Sequence, residues 1–96
     1  MIIDKGVSAG EVVTFKLTSG EELVARLVEE TDTHYKVSKP NVIGMSPKGP
    51  ALMPYLFTVD PNKEIKLNKG VVAVAVASDK EFASQYIQGT TGIALV

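Results

Sequence analysis

The single histidine of this chain, His34, stands inside Asp32-Thr33-His34-Tyr35-Lys36. An imidazole beside a phenol and an ammonium suits contact with single-stranded nucleic acid. Such binders lay bases on aromatic faces and track the backbone with cations. Farther along, Lys66 and Lys69 precede Gly70. If the turn that carries them converges with residues 32–36, then Lys36, Lys66 and Lys69 form a rim that contacts phosphate. Repeated in every copy of an oligomer, that rim raises avidity without a basic composition. Each of these residues also has a plainer reading. His34 can be a polar strand residue, the lysines solvated charges, Tyr35 a core residue of an alternating strand, and Asp32 a turn former. Arg26 among valines reads either as an anchor for a subunit contact or as a surface arginine whose stem lies on apolar neighbours.

Catalysis has little support. Asp32, His34 and Ser38 are the residue types of a triad, but His34 and Ser38 lie along one strand. No nucleophile elbow or oxyanion hole accompanies them. Glu29-Glu30 is a charge pair at a strand end, and no glycine loop for phosphate follows a strand and opens a helix. With one histidine and no cysteine, neither a transition-metal site nor a disulfide framework is expected. The expectation is therefore a protein that is not an enzyme and that carries no cofactor and no metal. A net charge of −1 excludes a strongly basic nucleic-acid binder, so any such binding must use a local patch. MIIDKG lacks the basic and apolar regions of a signal peptide. The apolar run Val71 to Ala77 is far too short to cross a bilayer. No membrane association is expected, and the expected location is cytoplasmic.

The elements that must position these residues start at Glu11. Val13, Phe15 and Leu17 alternate with polar or β-branched residues, and Leu23, Ala25 and Leu27 do the same. A three-residue loop, Thr18-Ser19-Gly20, with glycine at positive φ, sets Phe15 against Leu23 and Val13 against Ala25. Both apolar rows then share one face, whereas a two-residue loop would mix them. The opposite face, with Val12, Val24 and Val28, is apolar enough to need a cover from this chain or from another copy. A polar turn at 29–33 leads to a third strand through Tyr35 and Val37. Pro40 interrupts it and Val42 to Met45 extend it. Ser46-Pro47-Lys48-Gly49-Pro50 is a turn. Ala51 to Phe57 is apolar on both faces and should be covered on both. Asp60-Pro61-Asn62-Lys63 fits a type I turn. Ile65 and Leu67 mark a short strand, and Asn68-Lys69-Gly70 turns it into a last strand, also apolar on both faces. Ser78-Asp79-Lys80-Glu81 reads as a capping box with Ser78 as N-cap. Gly89 reads as the stop of the short helix that follows, and residues 90–96 as an apolar tail. Residues 1–10 are a lead-in.

Ninety-six residues with 45% hydrophobic content make one domain. The expected fold is mainly β: a small, strongly bent antiparallel barrel of five or six strands spanning about 11–77, with a short C-terminal helix at about 79–88. Gly44, Pro40 and Pro54 are the candidates for its bends.

This order of elements resembles the Sm-like family, with its LSm and Hfq branches, over roughly Val12 to Ala77. Val13, Phe15 and Leu17 match the hydrophobic row of the family's first motif, Gly20 its turn glycine and Leu27 its leucine. Ala25 stands where a second glycine is usual. Asp32 to Lys36 is similar to the loop that reads aspartate, any residue, histidine, methionine, asparagine in some members. Here Tyr35 replaces the methionine and Lys36 the asparagine that contacts the base. Lys69-Gly70 is similar to the arginine-glycine that ends the second motif, although lysine lacks the planar stacking fork. The Asp60 to Lys63 turn and a helix at the C-terminal end depart from the pattern. The chain is also similar to small phage-encoded Sm-like proteins, a class without an assigned activity. The resemblance implies an SH3-like barrel that closes into a homo-oligomeric ring through edge strands. It also implies single-stranded RNA bound weakly at His34, Tyr35, Lys36, Lys69 and Gly70. A ring-forming structural or protein-interaction module that binds no nucleic acid is the competing expectation.

Overall fold

In the computed structural model, which describes residues 6–90, six strands form one antiparallel sheet and a single helix follows them. β1 (Val12–Leu17) and β2 (Glu22–Glu30) pair in the expected register, Phe15 opposite Leu23 and Val13 opposite Ala25. Between them Gly20 sits at φ +107 and donates to Leu17 O at 2.9 Å, while Leu17 N–H donates to Glu21 O at 2.9 Å. The odd-numbered row from Val13 to Leu27 is buried and merges with Val37 and Leu67 into the main core. Each large side chain enclosed there contributes about 1.5–3 kcal/mol.

The second face of the hairpin is covered from within the chain. On α1 (Lys80–Thr90), Phe82, Ala83, Tyr86 and Ile87 pack on Val12 and Val24, together with Ile43 and Leu52. A helix this short needs such docking to persist. Tyr86 anchors it: the side chain is buried and its hydroxyl donates to Lys39 O (2.7 Å) and Ser38 O (3.1 Å).

Several local expectations need correction. The N-cap of α1 is Asp79, not Ser78: Asp79 Oδ2 accepts from Glu81 N and Phe82 N at 3.1 and 3.3 Å. Ser78 instead exchanges a 2.7 Å hydrogen bond with Thr14, because its backbone, just past the last strand, is still bonded to β1 through Val12 O. Gly89 does not stop the helix but lies inside it. As expected, the third strand continues past the interruption at Pro40, and β3 (His34–Ser46) takes in Val42 to Met45. The proline is accommodated by a bulge. Val24 pairs with Asn41 but Arg26 with Ser38, so Lys39 and Pro40 together face Ala25, and Lys39 takes φ +50. A second shift leaves Val28 of β2 as the extra residue. Gly44 lies in unbroken register and carries no bulge.

β4 (Gly49–Pro54) returns along the distal half of β3 and stops sooner than expected. Leu56 and Phe57, expected under cover on both sides, are 40% and 77% exposed. The Asp60 turn forms as expected, Lys63 N–H donating to Asp60 O at 2.9 Å. β5 (Ile65–Asn68) then pairs with the proximal half of β3, and β6 (Val72–Ala77) with β1. The sheet order is β4-β3-β2-β1-β6 with β5 also on β3, so the expected barrel does not close. β5 and β6 are joined by the single 3-10 turn Lys69–Val71, without a ladder between them. Of the lead-in, Val7 packs on the core and Gly10 N–H donates to Leu27 O at 2.7 Å. Residues 1–5 and the tail beyond Thr90 lie outside the described residues. Among the described residues no helix is long and apolar enough to cross a membrane.

Candidate functional site

The two turns whose meeting is the condition for a rim lie together. Thr31 shapes the first: its N–H donates to His34 O (2.9 Å), and its hydroxyl oxygen accepts from His34 N (3.1 Å) and Thr33 N (3.3 Å). The turn-forming bonds expected of Asp32 are thus made by its neighbour. In the second turn, Asn68 Oδ1 accepts from Gly70 N at 2.7 Å. A side chain at position 70 would crowd that cap, its Cβ lying 3.1 Å from the Asn68 oxygen. Lys69 N–H donates to Thr33 O at 2.8 Å and ties the turns together.

His34, Tyr35, Lys36, Lys69 and Gly70 therefore occupy one end of the β3–β5 ladder, with His34 opposite Asn68 and Lys36 opposite Lys66. The charges there are largely answered. Lys69 Nζ lies 2.7 Å from Glu30 Oε2 and 5.1 Å from the centre of the Tyr35 ring. The hydrogen bond that Lys69 donates to Glu30 raises the Lys69 pKa. Lys36 Nζ lies 3.7 Å from Glu64. His34 Nδ1 shares a 3.0 Å hydrogen bond with Thr33 Oγ1. Tyr35 faces the core, edge-on to Phe15 at 5.1 Å and 61°, and Lys69 stands over its ring. Glu30 is the member that sequence reasoning missed. It lies 39 positions from Lys69, and no local pattern signals that pairing. Arg26 serves the chain itself, its Nη1 donating to Gly10 O at 3.0 Å. Among the described residues no cluster of histidine, aspartate and glutamate has the makings of a metal site.

A second region is defined by its backbone. Hydrogen-bonded and non-bonded pairs alternate along an antiparallel ladder. The β3–β4 register is unbroken from Ser46↔Gly49 to Asn41↔Pro54, and Tyr55 N–H donates to Pro40 O at 3.0 Å. Pro50, Leu52 and Pro54 then share the outward phase. Two of those three positions lack an N–H, so β4 presents a blunted border. The border of β6 is different. Ser78 N–H donates to Val12 O at 3.0 Å, which puts Val76 and Val74 in bonded pairs with β1 and turns the backbone groups of Ala75 and Ala77 outward. Nothing in that strand blocks pairing, and the side chains of Val74 and Val76 are each 52% exposed. By the same phasing, the Lys69–Thr33 bond turns the N–H groups of Lys66 and Asn68 outward from β5.

Beside β5 lies a groove of about 480 Å³. Pro40, Pro54, Leu56, Val59 and Ile65 supply most of its apolar lining. Lys39 and Thr90 also line it, and Lys39 Nζ donates to Thr90 O at 2.7 Å.

No family model matches the chain, and no curated protein matches it.

Proposed function

We propose that this chain is a self-assembling module of Sm-like type, in which the β6 border of one copy pairs with the β5 border of the next. The single observation that carries this reading is the contrast between borders. β4 is blunted by Pro50 and Pro54, whereas β6 is unblocked and flanked by the exposed Val71, Val74 and Val76. An open apolar border in water invites pairing with another strand. Because the two borders differ, each contact is head-to-tail, and such contacts close into a ring when the rotation permits. The order of elements, the Gly20 hairpin and the convergence of the Thr31 and Asn68 turns all agree with the family resemblance. On this reading the protein is not an enzyme, and its partner is first of all itself.

Light scattering on the purified chain tests assembly, and Ala75→Pro tests the border. Proline at that position removes an outward N–H while sparing the bonds to β1. The expected result is an oligomer for the natural sequence and a folded monomer for Ala75→Pro. A monomer for the natural sequence at micromolar concentration removes the ring. A folded, fully assembled Ala75→Pro protein removes this choice of border.

Weak binding of single-stranded RNA is a second reading, favoured by the meeting of His34, Lys36 and Lys69 at one end of a ladder. The pairing of Lys69 with Glu30 and of Lys36 with Glu64 makes that binding the weaker half of the proposal. Labelled oligo-U and oligo-A across a salt series decide it. A phosphate-contacting rim gives an affinity that falls with salt and falls further in Lys69→Ala and His34→Ala. No binding at low salt eliminates it.

A further inference from the structure

The groove beside β5 is a partly apolar concavity of the described residues. Its volume, about 480 Å³, lies within the range of sites that enclose a ligand or several side chains. Its place in the fold is informative. Ile65 belongs both to the groove wall and to β5, so the groove continues directly from the border on which the next copy is proposed to pair. Leu56 and Val59, which also line it, come from the excursion between β4 and β5. Beyond Tyr55, whose N–H still bonds Pro40 O, that excursion belongs to no strand.

The β6 border has matching features. Val74 and Val76 project from one face of the strand, and each is half exposed. On that face Thr14 and Lys16 are their β1 neighbours, and α1 packs on Val12 and Val24. The helix thus leaves two valines bare on the strand whose outward backbone groups are unblocked.

We infer that the groove is a socket for a second copy of this chain, receiving Val74 and Val76 of the neighbour's β6 when that strand pairs with β5. The inference rests on the assembly reading above and adds a specific contact to it. Backbone pairing supplies direction but little selectivity, and side chains seated in a pocket supply register. The β4–β5 excursion then has a physical role: it builds the wall that sets which residue of β6 stops against β5. It also explains why the segment around Leu56 stays partly exposed in the single chain.

The chain contains no cysteine, so single cysteines can be placed without background. Val59→Cys protein is mixed with Val76→Cys protein under mild oxidation, and Lys48→Cys mixed with Val76→Cys is the control. A disulfide requires Cα atoms within about 7 Å. The expected result is a shift from the 10.3 kDa chain to a band of twice that mass for the first mixture, well above the control. An oligomer by light scattering with no such band above the control overturns the socket and leaves the ring standing. A monomer overturns both. Should a cysteine variant fail to fold, Val59→Asp takes over the test. Loss of assembly with unchanged circular dichroism supports the socket, and unchanged assembly overturns it.

Discussion

Val24 and Val74 are both mid-strand valines, yet Val24 is completely enclosed and Val74 is 52% exposed. Val24 sits on β2, with strands on both sides and α1 above. Val74 sits on β6, with β1 on one side only. The β1–β2 hairpin is covered on both faces by its own chain. The borders of the same sheet keep apolar residues bare: Val71, Val74 and Val76 at one end, Met53, Leu56 and Phe57 at the other. A single domain of this size has too little chain to cover everything it makes apolar. Burial is concentrated on the hairpin, and the remaining apolar surface is left at the borders.

The sharpest way to break this comparison is to remove one phenylalanine from each region. Phe15→Ala empties a fully buried position and is expected to cost about 3–5 kcal/mol in urea denaturation. Phe57→Ala should stay within about 0.5 kcal/mol of the natural protein in the same assay. Equal losses at the two sites would mean that Phe57 is enclosed in solution. Next in size is Gly20→Ala. It puts a Cβ on a residue at φ +107 and should cost about 1 kcal/mol or more, because the strain falls on the turn that sets the register of the hairpin.

Tyr86→Phe probes the cover on the second face. It removes the hydroxyl bonded to Ser38 O and Lys39 O and should cost about 1 kcal/mol. Burial also pushes the Tyr86 phenol up to about 12 from an ordinary value of 10.0. The folded state therefore holds this proton more tightly than the unfolded chain does. The associated stability is present below pH 10 and is lost as pH rises from 10 through 12. Thermal melts across that window should fall more steeply for the natural protein than for Tyr86→Phe. Parallel curves would show that Tyr86 is not the group responsible.

The smallest effect belongs to Glu30→Gln at the meeting of the two turns. The pair with Lys69 is solvent-exposed, and the melting temperature should not move measurably. The Lys69 pKa, raised by its bond to Glu30, should fall toward the ordinary lysine value in an NMR titration. If the RNA reading holds, the freed ammonium should also strengthen oligo-U binding at low salt.

How much of this was legible before folding depends on distance along the chain. The rows Val13-Phe15-Leu17 and Leu23-Ala25-Leu27, and the loop that puts them on one face, could be read directly. Alternation and a glycine at a turn are local facts. The convergence of the 31–34 and 68–70 segments could be stated only as a condition, because it depends on β5 choosing the near half of β3. Thr31 replaced Asp32 as the turn former, and Asp79 replaced Ser78 as the N-cap. Neighbouring residues of the same chemical type compete for such roles, and backbone geometry decides between them by a single position. At Pro40 the interruption and the continuation beyond it were legible from the missing proline donor, whereas the bulge that permits it, with Lys39 at φ +50, depends on the partner strand.

By itself, the sequence determined which residues alternate, where the tight turns fall and that the chain is short of cover, since these follow from side-chain chemistry at separations of a few residues. Only the tertiary structure decided that α1 cloaks Val12 and Val24 while leaving Val74 bare, that Glu30 holds Lys69, and that two prolines silence one border while another stays open. Those outcomes depend on the phase of hydrogen bonding between strands far apart in the chain. That phase exists only after the strands have met.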